Sequence, residues 1–218
     1  MSPDPLDTLL DTIGRRDAAA ALALADADPA LLARRSADGV SALSLAAYVG
    51  DAALVAALRE RRGPPDFFEA LIVGDDAAVE RALGAGQDLE QTAPDGFTPL
   101  GLAVYFNHDA LALRLLDAGA RVDARAANAQ QVGPLHAAVS RGNAALVELL
   151  LGRGASADLP QQQGITPLHA AAAAGRADLV ALLRRAGADP RRTDDAGRDA
   201  AEHARQHGQA ALADALRN

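Results

Sequence analysis

The sequence has no cysteine, no lysine and no tryptophan, and six of its 218 residues are aromatic. Without cysteine there is no disulfide framework, thiolate metal site or cysteine nucleophile. Without lysine there is no Schiff-base chemistry and no phosphate-loop lysine. All 21 basic residues are arginine, and the formal charge of −8 repels a phosphate backbone, so nucleic acid is excluded as the expected partner. Long apolar runs are missing too. The longest small-apolar stretch, Ala170 to Ala174, falls far short of the ~20 residues that cross a bilayer, so no membrane association is expected. The opening MSPDPLDTLLD carries prolines and acids where a secretory signal would be basic and then apolar, the pattern of a cytoplasmic protein.

Half of the chain is apolar, and most of that is alanine. Small side chains let helices approach closely but cannot build one thick core, so many thin layers are expected. Abundant alanine and arginine without lysine also lean toward a GC-rich bacterial genome.

What is present is a period. GFTPLGLAVYFN from Gly96, QVGPLHAAVSRG from Gln131, GITPLHAAAAAG from Gly164 and a fainter GVSALSLAAYVG from Gly39 superpose without gaps. Anchored on Ala42, Pro99, Pro134 and Pro167, and extended to Asp66 and Ala200, the steps are 24, 33, 35, 33 and 33 residues. A second marker keeps the same phase: glycines 12 residues apart at Gly74/Gly86, Gly142/Gly154 and Gly175/Gly187, with Asn107/Gly119 a near match.

The residues explain one unit. Thr98 and Thr166 can cap a helix, with Pro99 and Pro167 at the first helical position, where a missing N–H costs nothing. The helix stops after about two turns at a glycine able to turn left-handed. The next stretch places Leu146, Leu149 and Leu150, or Leu179, Leu182 and Leu183, on one face of a second helix. A polar stretch such as GADPRRTDDAG then reads as a β-turn finger. A two-helix unit leaves its leucine face wet, and each buried leucine contributes roughly 1.5 to 3 kcal/mol, so units must stack.

TPLHAAAAAG followed in phase by LVALLRRAGAD resembles the ankyrin repeat. The resemblance implies an all-α ankyrin-repeat solenoid of about seven helix-turn-helix units, L-shaped and curved. First helices would line the concave face, with β-turn fingers beside it and divergent caps at both ends. The array would run over 39–195, with units starting near 41, 66, 98, 133 and 166. Residues 1–38 would form a divergent N-terminal cap and 196–218 a C-terminal one. It also implies a protein-binding scaffold without catalytic activity or cofactor.

Departures from the pattern stand out. RERRGPPDFF has no room for a finger between the helix ending near Arg62 and the one starting near Asp66. The tip at Ala127 to Gln131 should bulge, and glutamines replace the usual aspartate in Pro160 to Gln163.

All six aromatics fall between residues 48 and 106. Within the resemblance Tyr48, Tyr105 and Phe106 precede the inter-helix turn and Phe97 precedes the cap, both partner-facing positions, and such anchors dominate binding interfaces. Phe67 and Phe68 instead suit filling the space of the missing finger. Ser140 and Arg141 fall on the same inferred face as Tyr105. His136 and His169 should bond loop backbone. His203 and His207 have zinc-helix spacing but no third ligand, so a solvated face is expected for them and for most of Arg59, Arg61, Arg62, Arg184, Arg185, Arg191 and Arg192. Asp194 and Asp195 read as a turn.

The expectation is a monomeric adaptor or inhibitor that binds another protein through Tyr48, Phe97, Tyr105, Phe106, Ser140 and Arg141. Masking a bacterial enzyme's active site is one use. The alternatives are a self-associating protein with the aromatic patch as dimer interface, and an enzyme or metal protein using His203 and His207.

Overall fold

Most helices begin on a side chain that accepts an otherwise unbonded amide of the first turn. Ser41, Asp66, Thr98, Asn143, Thr166 and Asp199 all do so. Pro5, Pro99, Pro134 and Pro167 follow as the first helical residue. Asn107 takes a left-handed φ of 59° at the inter-helix turn where Gly142 and Gly175 stand in later repeats. A computed structural model describes residues 4–217, so residues 1–3 and 218 of the two expected caps lie outside the described residues. Among the described residues there are fourteen α-helices and no strand.

The chain divides into two units. The first runs to Gln87 and includes Ala93–Asp95. It holds α1 (Pro5–Gly14), α2 (Ala18–Ala27), α3 (Ala42–Tyr48), α4 (Ala52–Arg62), α5 (Phe67–Val73) and α6 (Asp76–Gly84). Helix α1 packs on α2 and α3, and α3 packs on α4 and α5. Leu6, Leu9, Ile13, Leu31, Leu32, Leu43, Leu54 and Leu58 form its buried cluster, so the poorly patterned N-terminal stretch contributes a packed helix pair.

The second unit comprises Asp88–Thr92 and the chain from Gly96. It holds α7 (Pro99–Tyr105), α8 (Asp109–Asp117), α9 (Pro134–Arg141), α10 (Ala144–Gly152), α11 (Pro167–Ala173), α12 (Ala177–Arg185), α13 (Ala200–Gln206) and α14 (Ala210–Arg217). First helices stack in the order α7, α9, α11, α13, each packed also on its own second helix. The buried stripe of α10 is Leu146, Val147 and Leu150, and that of α12 is Leu179, Val180 and Leu183. Leu149 and Leu182, expected inside, are only half-buried. Val147 and Val180 take their place on the buried face, which also packs on the neighbouring second helix, α10 on α8 and α12 on α10. Finger tips are joined by backbone hydrogen bonds: Ala127 N–H to the Gly96 carbonyl at 2.8 Å, Gln162 to Gln130 at 3.0 Å and Asp195 to Gln163 at 3.0 Å.

In the first unit the finger between α4 and α5 is reduced to Gly63, Pro64 and Pro65, as the short step requires. An ion cluster takes up part of the space. Glu69 is fully buried; its Oε1 accepts from Ser41 Oγ at 2.6 Å, and its Oε2 accepts from the Asp66 amide at 3.1 Å. Arg62 pairs with Glu69 Oε2 and donates from Nε to the Leu32 carbonyl at 2.7 Å. Arg35 pairs with Asp66 and lies 3.5 Å from Glu69 Oε1. Arg62 is therefore an interior partner of a buried carboxylate, not the solvated helix position expected. Arg59 and Arg61 pair with Asp75 and Asp26 at 2.8 and 2.6 Å.

Candidate functional site

In the second unit, Phe97 sits one residue before the Thr98 cap of α7, Tyr105 is the last residue of that helix, and Phe106 follows as its C-cap. The Phe97 and Tyr105 ring centres are 5.8 Å apart and tilted by 44°, and Tyr105 meets Phe106 edge-on at 5.2 Å. Phe106 in turn stacks on His108 at 6.5 Å. The three rings are half-buried, each covered partly by the next. Arg141, the last residue of α9, holds its guanidinium carbon 5.3 Å from the Tyr105 ring centre, and the adjacent Ser140 is exposed. A cation over an aromatic face is held by the ring quadrupole. The structure thus brings Phe97, Tyr105, Phe106 and Arg141 into one row, with Ser140 beside it.

Tyr48 belongs to the first unit. It ends α3, is 38% exposed, and its hydroxyl donates to Asp95. Phe67 and Phe68 pack on each other at 5.5 Å and are half-buried.

The histidines divide by environment. His136 Nε2 lies 3.0 Å from the Ile165 carbonyl and His169 Nε2 lies 2.9 Å from that of Arg192, so both bond loop backbone. Thr166 N–H donates to His169 Nδ1 at 3.0 Å, which fixes the proton of that neutral ring on Nε2. In the preceding repeat the cap residue is Gly133, with no hydroxyl, and buried His136 Nδ1 has no hydrogen-bond partner among the described residues. Burial pushes the His136 imidazole down to about 4, against the raising effect of the Ile165 carbonyl, and lowers His169 in the same sense.

His203 is buried rather than on a solvated face. Its Nε2 is 2.9 Å from Asp194 Oδ2, and its ring lies 4.8 Å from that of His169. Asp194 is itself buried and is more than a turn residue. Its carboxylate accepts from the amides of Ala196 and Arg198 and from Arg198 Nε within the last finger, and its bond to His203 ties that finger to α13. Burial alone would raise its pKa, but the bonds from Arg198, His203 and Ala196 hold the carboxyl well below the usual range. His207 is exposed and turns Nδ1 to the His203 carbonyl at 2.9 Å. Among the described residues no group of three or more His, Asp or Glu is placed to hold a metal.

Two of these features had sequence signals that composition alone conceals. Asp66 with Glu69 three residues on is a capping-box spacing, and it announces a glutamate turned inward at the start of a helix. Pro94 stands five residues before Pro99, the place from which Gln162 and Asp195 donate their finger-tip amides, and proline has no N–H to give.

A family model described as ankyrin repeats, three copies, matches residues 67–159 and 135–218. Together with the stacked helix pairs, this places the chain in the ankyrin-repeat family. No curated protein matches the chain. Ankyrin repeats are generally protein–protein interaction modules, and the family is typically non-enzymatic. Among the described residues no helix is long and apolar enough to cross a membrane.

Proposed function

We propose that this chain is an adaptor or inhibitor that binds a partner protein in the cytoplasm as a monomer, without catalysis. Phe97, Tyr105, Phe106, Ser140 and Arg141 in the second unit form the contact patch, and Tyr48 in the first unit serves as a separate anchor. The terminal helix pairs within 1–38 and 196–218 act as caps of the array. The observation that carries this reading is the aromatic row itself: three mutually packed, partly exposed rings with a cation over the central one, in a family whose general role is protein binding. Rings that already support one another lose little side-chain entropy on binding, so a modest area can give useful affinity. The net charge of −8 disfavours nucleic acid as the partner.

The test is affinity capture from native lysate with the wild type and with Tyr105→Ala plus Phe106→Ala, each also weighed by light scattering. Loss of a captured protein at unchanged fold and single-chain mass supports the reading. A doubled wild-type mass that the substitutions return to one chain would show a dimer interface instead. Unchanged mass and unchanged capture would show that the aromatic row is not the binding patch.

A further inference from the structure

The first unit contains a small cavity where the missing finger would have lain. Ala93 and Pro94 lie over α3 and α5, and Leu45, Tyr48, Phe68 and Ile72 complete a mainly apolar wall around about 140 Å³. The local sequence explains the opening. Pro94 cannot give the tip-to-tip amide bond that Gln162 and Asp195 give, and its ring instead abuts Gly39. Ala93 stands six residues before Pro99, as Asp194 stands before Ala200. The last finger is thus braced by a carboxylate where this one presents a methyl group to the cavity. The hydroxyl of Tyr48 bonds Asp95 and pins the tip in place.

Size and charge together select an occupant. Pockets that enclose a whole metabolite run to roughly 300–1,000 Å³. A cavity near 150 Å³ holds about one benzene ring, so this one takes a single side chain. Its wall is apolar, but the carboxylates of Asp38 and Asp95 border it. Arg35, which also lines it, is committed inward to Asp66, Glu69 and the Gly39 carbonyl. An apolar shaft with an acidic mouth matches a side chain that has an aliphatic stem and a cationic head. Tyr48 and Phe68 add aromatic surface that favours the cation.

We infer that this cavity receives a lysine or arginine side chain of a partner protein, its stem against Leu45, Ile72 and Pro94 and its charged head between Asp38 and Asp95. The inference rests on the protein-binding reading, but its test uses none of the residues of the aromatic row in the second unit, so either can fail alone.

The probes are N-acetyl-lysine amide and N-acetyl-arginine amide, with N-acetyl-norleucine amide as the uncharged control, titrated into the full chain by NMR. The cationic probes should give saturable shifts at Tyr48, Phe68 and Ile72, at least about tenfold tighter than norleucine. Asp38→Lys should abolish those shifts without changing the thermal midpoint, because Asp38 is an exposed finger-tip residue. Asp95→Asn, which keeps an acceptor for Tyr48, should weaken them. Equal binding of norleucine would assign the cavity to an apolar side chain and overturn the inference. So would the absence of saturable shifts, or a wild-type dimer that Asp38→Lys returns to single-chain mass.

Discussion

The Arg141 guanidinium lies 5.3 Å from the centre of the Tyr105 ring, so a residue ending α9 stabilises a ring ending α7 one repeat earlier. The contact links two successive first helices at their C-terminal ends and orders the polar edge of the aromatic row. Exposed cation–π pairs contribute about 0.5–1 kcal/mol. Arg141→Ala should therefore lower stability by no more than that, measured by urea unfolding. It should weaken partner capture by a larger factor, and Arg141→Lys should restore part of the capture. A loss of stability well beyond this range would show that Arg141 is structural and not part of a contact patch.

Glu69 is a fully buried carboxylate whose partners come from four places: Ser41, Arg35, Arg62 and its own cap at Asp66. Removing one member of such a set strands the other charge, at a cost of about 3–5 kcal/mol. Glu69→Ala should fall in that range in urea unfolding. Arg62→Met combined with Glu69→Leu should cost less than the two single changes added together, because no unpaired charge remains. Additive costs would show that the two charges are not coupled.

Gly39 has a φ of 77°, and a side chain there would run into Cβ and Cγ of Pro94. Gly39→Ala should destabilise by roughly 1–3 kcal/mol, combining a left-handed backbone with the clash. Adding Pro94→Gly should recover the part due to the clash and leave the backbone part. If the single change is silent, Pro94 does not seat on Gly39 in solution.

The repeats were legible because their signals are local. A cap, a proline at the first helical position, a left-handed residue and a leucine stripe each act within one or two turns, and Thr98, Pro99, Asn107 and Leu111 illustrate all four. The interior charges were not legible, because they depend on contacts across repeats. Arg62 looks like a solvated residue at the end of α4 until the absent finger brings Glu69 to it. His203 looks like half of an exposed i, i+4 pair until the last finger folds Asp194 against α13. Two residues of each leucine stripe are buried as expected, but Val147 and Val180, not Leu149 and Leu182, complete the buried faces. The aromatic row shows an intermediate case. Its membership followed from the repeat frame, but the mutual packing that half-buries Tyr105 and Phe106 depends on ring orientations that spacing does not fix.

His136 makes stability depend on pH in a direction set by its burial. The unfolded imidazole takes up a proton near pH 6.5, whereas the folded ring resists it until about 4. Between those values the unfolded state binds more protons, so stability falls as pH drops and levels off below the folded value. The difference corresponds to roughly 3 kcal/mol at its full extent. His169, also lowered by burial, acts in the same direction, as does Asp194, whose depressed carboxyl stabilises the fold only while ionised. A fall in stability on acidification would not by itself identify His136. The informative measurement is the urea midpoint of wild type and His136→Gln at pH 7.5 and at pH 4.5. The variant should be less stable at the higher pH, where it lacks the fitted neutral ring, and should lose less on going to the lower one. Equal losses in the two proteins would place the proton uptake elsewhere and show that the His136 ring titrates alike in the folded and unfolded chain.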